Sequence, residues 1–235
     1  AERVKQTKAD FGIVFDTDVD RAGCILSDGR ELNRNRLVAM ISAVILENEP
    51  GAVIVTDSVT SAGLTKFIEA HGGKHIRFKR GYKNVINKQI ELNKEGIDCP
   101  LAIETSGHAA FRENYYLDDG AYLVTKLIIK AALLKKSGGS LESFISDLEE
   151  PAEELERQVR GLNPWPSAYT FLNGKTLKIW KAEVLHTEAV SSQEAEEPEA
   201  LADRKSCGSV IVISRDSIQV QTGDGILAIR ELQLE

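Results

Sequence analysis

Through residues 1–150, short apolar runs without helical period alternate with stretches whose apolar positions recur every three or four residues. The runs predict strands at Phe11 to Phe15, Gly23 to Leu26, Val53 to Val55, His75 to Phe78 and Pro100 to Ile103. Between the first two lies the polar segment Asp16 to Arg21, which reads as an acidic loop joining strands. Within Leu32 to Leu46, the positions Leu37, Met40, Ile41, Val44 and Ile45 share one helix face, and Pro50-Gly51 stops the helix. Further helices are predicted over Ser61 to Ala70, closed by Gly72-Gly73, and over Asn84 to Leu92, ended near Gly96. A longer one should run from Asp118-Asp119 to near Lys136, with acids at its positive end and lysines at its negative end. The alternation predicts a layered α/β region with a mixed sheet.

The rhythm changes after Ser137-Gly138-Gly139-Ser140. Ser140 caps a short helix, Ala152 to Arg160 forms another, and Asn163-Pro164-Trp165-Pro166 forbids its continuation. Strands are then predicted at Ala168 to Leu172, Thr176 to Val184, Ser209 to Ile213, Ser217 to Gln221 and Leu227 to Leu232, with Asn173-Gly174 as a hairpin turn. Five short strands predict a small all-β barrel over 151–235, a second domain after the α/β domain of 1–150. Thr187 to Arg204, rich in Glu, Ala and Ser, reads as a long mobile loop. The seam is placed near Glu149 to Glu156, and the two halves are expected to fold separately.

Composition narrows the class. At 235 residues with 42% hydrophobic and 28% charged, most of the chain is expected to fold. The longest apolar run, Ala121 to Leu134, is cut by Lys126 and Lys130 and falls short of the roughly 20 residues a membrane helix needs, so no membrane partner is expected. The opening AERVKQTKAD has no apolar core of a secretory signal, and its lack of an initiator Met points to a fragment. Cys24, Cys99 and Cys207, without CxxC spacing, predict free thiols and a reducing, cytoplasmic location, with an organellar one left open. A net charge of -7 argues against broad nucleic-acid binding.

Three motifs carry candidate chemistry. In FDTDVDRAG, alternate carboxylates at Asp16, Asp18 and Asp20 can converge on one hard cation, with Arg21 beside it to grip a phosphate. A solvated acidic turn is the plainer alternative; a calcium loop fails because the EF-hand Gly and Glu are missing. In IETSGHAAF, Glu104, Ser106 and His108 lie at an abrupt strand-to-loop transition and can hydrogen-bond vicinal sugar hydroxyls. A satisfied loop Ser and a surface His is the competing reading, and no GxSxG nucleophile elbow is present. In FKRGYKN, Lys79, Arg80 and Lys83 surround Gly81, as a phosphate cradle or as a solvated basic turn.

Taken together, FDTDVDRAG, VTDSVTSAGL, KRGYKNVI, ETSGHAAF and LDDGAYLVTKLI resemble, over residues 9–150, the α-D-phosphohexomutases: phosphomannomutases and phosphoglucomutases. The resemblance implies the end of that family's second domain and its whole third domain. It also implies Mg2+ on Asp16, Asp18 and Asp20, phosphate on Arg21, and a hexose phosphate held by Glu104, Ser106 and His108. In the family a phosphoserine donates a phosphoryl group to the sugar phosphate. The phosphoserine domain and the phosphate-binding fourth domain are missing from this resemblance, so no catalytic residue is assigned and the chain is expected to be inactive alone. Ser58-Val59 stands where the family usually offers a Lys or Arg, which puts a basic group there in doubt.

The tail, with LERQVRGLNPWPSAYTFLNGKTLKIWKAEVL and GSVIVISRDSIQVQTGDGILAIRELQ, resembles over 152–235 the C-terminal domain of methionyl-tRNA formyltransferase, an OB-like barrel that helps hold initiator tRNA. From Pro151 to Glu235 there are 9 basic and 14 acidic residues, so only a weak tRNA contact through Arg160, Lys175, Lys178 and Lys181 is expected. Trp165 and Trp180 are read as barrel core or lid packing rather than base-stacking platforms.

Overall fold

A computed structural model describes residues 1–172, 174–185 and 206–234, which form two compact units, Ala1–Leu148 and Glu149–Glu235. The loop expected at Thr187 to Arg204 and Asn173 of the expected hairpin turn lie outside the described residues.

The first unit begins with helix α1 (Glu2–Thr7) and an antiparallel sheet, β1 (Phe11–Phe15), β2 (Ala22–Leu26) and β3 (Glu31–Leu32), in that order. Then follow α2 (Arg34–Leu46), β4 (Val53–Asp57), α3 (Ala62–Ala70), β5 (Lys74–Phe78), α4 (Tyr82–Lys94), β6 (Leu101–Ile103), β7 (Ala109–Phe111), α5 (Gly120–Lys136) and α6 (Leu141–Phe144). The second sheet has the order β5-β4-β6-β7; β4 runs parallel to β5 and β6, and β7 is antiparallel to β6.

Period-2 alternation sorts the faces of this mixed sheet. Ile54 of β4, with Leu101 and Ile103 of β6, joins a core built by α2, α3 and α5, whereas Val53, Val55 and Ala102 pack with Val85 and Leu92 of α4. Helix α2 is buried at nearly every position from Leu37 to Leu46, so it is a core element rather than a surface helix with one apolar face. Helix α5 starts at the Asp119 N-cap, whose carboxylate accepts from the Tyr122 N–H, and ends on Lys135 and Lys136, as its end charges predicted. The segment expected to run from strand into loop after Ile103 instead turns back at once as β7, closing a β6–β7 hairpin.

The second unit packs α7 (Ala152–Leu162) against a single antiparallel sheet of β8 (Ala168–Leu172), β9 (Lys175–Leu185), β10 (Val210–Ile213), β11 (Ile218–Gln221) and β12 (Ile226–Leu234). Its order is β10-β11-β12-β9-β8, so among the described residues β8 and β10 end the sheet and no ladder closes it into a ring. Ala152 and Val159 of α7 meet Ile179, Ala182, Leu227 and Ile229 to form the core. The register between β12 and β9 slips around Glu231 and Lys181, which changes which residue parity of β9 faces that core.

Among the described residues Cys24 and Cys99 are buried free thiols, Cys207 is an exposed one, and no helix is long and apolar enough to cross a membrane.

Candidate functional site

The acidic motif forms the connection between β1 and β2. Its chain turns tightly, with the Val19 N–H donating to the Asp16 carbonyl at 3.3 Å and Val19 itself at a φ of +64°. The turn brings one carboxylate oxygen from each of Asp16, Asp18 and Asp20 to within 4.8 Å of the others. Arg21 folds back on the cluster, donating to Asp16 from its backbone N–H at 3.2 Å and from Nε at 2.6 Å.

The charges in this turn are unbalanced. For Asp16, desolvation pushes upward but the hydrogen bonds and charge of Arg21 outweigh it and hold the carboxyl below the usual range. Desolvation, with the charges of Asp18 and Asp16 working against the pull of His108, lifts Asp20 above that range. The Oδ1 of Asp20 is buried with no hydrogen-bond partner among the described residues. Three crowded carboxylates, one with an unsatisfied buried oxygen, fit a hard divalent cation that would supply the missing positive charge.

The second motif forms the β6–β7 turn and is fastened to the first by backbone. Arg21 and His108 form an isolated antiparallel bridge, and the Ala22 N–H donates to the Gly107 carbonyl at 3.4 Å. This close approach requires glycine: Gly107 has a φ of +100°, and a Cβ there would stand 2.6 Å from the Ala22 carbonyl oxygen. Gly120 plays the same part from below, since a Cβ on it would meet the Arg21 carbonyl carbon at 2.8 Å and the Val19 oxygen at 2.9 Å.

Glu104 is 4% exposed, and both its oxygens are engaged: Oε1 accepts from the Gly81 N–H at 2.6 Å and Oε2 from the Ser106 hydroxyl at 3.2 Å. The basic turn thus meets the β6–β7 turn through the Gly81 backbone N–H. Lys79, Arg80 and Lys83 are exposed around the N-terminus of α4, Lys83 lying over its neighbour's Tyr82 ring at 5.8 Å. His108 places Nδ1 2.8 Å from Asp118 Oδ2, and the Tyr82 ring stacks on it with centroids 4.9 Å apart. Desolvation lifts the Asp118 carboxyl above its usual range against the pull of His108.

Asp118, Tyr82 and Asp57 are therefore site residues that the motifs alone did not assign. Asp57 is fully buried at the end of β4 and accepts from the Thr105 N–H and hydroxyl, fixing the root of the β6–β7 turn. Asp118 was legible only as one of two acids at a helix start; its partner Asp119 does the capping, which frees Asp118 for His108. At Ser58-Val59 the exposed Val59 leaves the position without a cation, as the sequence indicated. An open cleft of about 390 Å³ runs beside the joined loops, lined by Phe15, Asp16, Arg21, Arg34, Thr105 and Ser106 among others. Arg34, at the start of α2, is a cation in this cleft that sequence patterning did not single out.

In the second unit the four basic candidates lie on two elements. Arg160 is on α7 and pairs with Glu156 at 3.0 Å, whereas Lys175, Lys178 and Lys181 are on β9. Burial at Leu177 and Ile179 followed by Ala182 shows the parity switch, so Lys178 and Lys181 both point off the core face on which α7 packs. Trp165 corrects the expectation of core packing: it is 85% exposed, because the Pro-flanked turn carries it past the end of α7. Trp180 is half-buried.

Comparison with known proteins finds a different match for each of the two regions. The family described as phosphoglucomutase/phosphomannomutase, alpha/beta/alpha domain III, matches residues 33–151, and that described as formyl transferase, C-terminal domain, matches 141–235. A phosphomannomutase/phosphoglucomutase of Pseudomonas syringae pv. tomato is 34% identical over 63% of this chain and 31% of its own length. A methionyl-tRNA formyltransferase of Agathobacter rectalis is 44% identical over 41% of this chain and 26% of its own. The chain therefore spans about a third or less of these curated relatives. Among solved structures, a phosphoglucomutase/phosphomannomutase family protein of Burkholderia thailandensis superposes with a TM-score of 0.53 at 19% identity, over 98% of this chain and 44% of that one, a likeness of fold.

Proposed function

Because the chain belongs to the phosphoglucomutase/phosphomannomutase family through its alpha/beta/alpha domain III, we propose that its first unit binds Mg2+ at Asp16, Asp18 and Asp20 and a hexose phosphate beside it. The observation that carries this reading is the backbone bridge between Arg21 and His108, which seats the carboxylate loop and the Glu104, Ser106 and His108 loop side by side. When bound, Mg2+ would neutralise charge on a phosphoryl group.

The chain's own residues do the rest. Arg21, steadied through Nε by Asp16, grips a phosphate oxygen, and Arg34 adds a second cation lining the same cleft. Glu104 uses one lone pair per oxygen on Gly81 and Ser106, and a carboxylate has about four such sites, so sugar hydroxyls have acceptors left. Ser106 offers its oxygen in turn, and His108, oriented by Asp118, adds a further hydrogen bond. Lys79, Arg80 and Lys83, exposed around the N-terminus of α4, supply a positive rim that attracts the anionic ligand.

Residues 1–235 on their own bind without turning over. Phosphoryl transfer depends on a positioned donor, and Ser106, which lines the same cleft as Asp16, spends its hydroxyl on Glu104. Calorimetry should find Mg2+ binding to the chain and none to the Asp18→Ala variant; equal binding in both would remove the assignment. Interconversion of mannose 1-phosphate or glucose 1-phosphate with the 6-phosphate by the pure chain would overturn the claim of inactivity.

A second reading concerns the second unit: a weak contact with tRNA. It is supported by the formyltransferase likeness and by a face where Tyr169 stands opposite Lys178, with Phe171 and Trp165 also exposed. A gel shift with initiator tRNA that weakens steeply with salt would support it, and no shift at low salt would end it.

A further inference from the structure

Three side chains from three separate segments converge on one point behind the carboxylate loop. Asp20 comes from the β1–β2 turn, His108 from the β6–β7 turn and Asp118 from the segment before α5, and one ligand atom of each lies within 4.8 Å of both others. His108 presents Nδ1 to both carboxylates, at 2.8 Å from Asp118 Oδ2 and 3.7 Å from Asp20 Oδ2. Backbone contacts join their segments as well: Arg21 is bridged to His108, and Ala110 to Asp118.

The surroundings orient the potential ligand atoms inward. The Ala109 N–H holds Asp118 Oδ1 at 3.2 Å, which turns Oδ2 toward the imidazole, and the Tyr82 ring backs His108. Such supporting contacts fix ring and carboxylate orientation at metal sites. The His108 and Asp118 side chains are only 15% and 14% exposed, and Asp20 turns Oδ2 toward the imidazole while its Oδ1 lies 3.7 Å from Arg21 Nε.

We propose that Asp20, His108 and Asp118 form a second cation site, suited to a transition-metal ion such as Zn2+ or Co2+, that shares Asp20 with the carboxylate loop. One imidazole nitrogen with two carboxylates matches the ligand preference of these ions, whereas Mg2+ favours an all-oxygen set and keeps its waters. Asp20 links the two sites, since a carboxylate can give one oxygen to each of two ions. The site does not depend on the magnesium assignment, since only Asp20 is common to both.

The test is Co2+ titration of the full chain, followed by calorimetry and visible absorption, in a background where Asp16→Asn and Asp18→Asn disable the loop. That double variant should lose Mg2+ yet bind one Co2+, and adding Asp118→Asn should weaken Co2+ by about tenfold or more. No Co2+ binding in the double variant, or an affinity that Asp118→Asn leaves unchanged, overturns the proposal. A measurement on the unsubstituted chain is independent of how the variants fold: Zn2+ should move the 15N resonance of His108 Nδ1 into the metal-bound range, and an unmoved Nδ1 also overturns it. Loss of Mg2+ binding in Asp18→Ala speaks only to the carboxylate loop, so the two assignments fail separately.

Discussion

Gly107 concentrates the site's geometry in one residue. Its left-handed backbone and its contact with the Ala22 carbonyl leave no room for a side chain, so Gly107→Ala is expected to destabilise the first unit by about 1–3 kcal/mol. An unchanged urea midpoint would show that the two loops are not tied there. His75 makes a different prediction. Its ring sits between the Thr56 and Thr65 hydroxyls at 2.8 and 2.7 Å, and burial, with the charge of Arg77, pushes its pKa from 6.5 down to about 4. The unfolded chain therefore takes up more protons between those values. The stability this neutral ring contributes is complete above about pH 6.5, declines as pH falls, and is gone below about pH 4, on the order of 2–3 kcal/mol. Urea midpoints at about pH 7 and about pH 4.5 should differ more in the unsubstituted chain than in His75→Gln; equal differences would count against it. Residue by residue, the carboxylate trio was legible from its spacing alone, and Glu104, Ser106 and His108 from their types. Asp118 and Tyr82 were not, because each matters only through a neighbour distant in sequence.

At the scale of elements, long segments announced themselves and short ones did not. Helices α2, α3, α4 and α5 each span several turns, enough for apolar period, caps and stop signals to agree. Strands β3 and β7, with two and three residues, are too short to carry a period, and they exist because β2 and β6 offer them edges to pair with. Helix α1 was likewise unannounced in a charged opening with one buried residue, Val4. The Asp119 cap also ties Asn114 through its other oxygen, so Asp119→Ala should cost about 1 kcal/mol and fray the start of α5. Hydrogen exchange at Tyr122 is the direct measurement, and unaltered protection there would contradict it. Strand β1 ends its sheet with Ile13, Val14 and Phe15 exposed, an edge whose pairing groups invite association.

For the whole molecule, the two family matches overlap at residues 141–151, and the structure divides that overlap. Leu141 and Ile145 are buried in the core of α2, α3 and α5, while Ala152 belongs to the core of the second unit. Two cores with separate membership predict separate folding. Limited proteolysis should cut first within Thr187 to Arg204, where the sequence is acidic and nearly free of large apolar residues, and then near Glu149 to Glu156. One cooperative transition shared by probes in both units, with the seam resistant, would show a single folding unit instead. The sequence by itself determined the order of the main elements, the α/β to all-β switch, the free thiols and the motifs, because each is written in local period, turn chemistry or residue type. Only the tertiary structure decided that Arg21 and His108 are neighbours, that Asp118 rather than solvent meets the imidazole, that the five strands stay an open sheet among the described residues, and that Trp165 stands outside the core. Those outcomes depend on contacts between separate segments, ten residues apart for His108 and Asp118 and many more for Arg21 and His108, where pairing edges and close glycine approaches set the geometry and no local pattern records it.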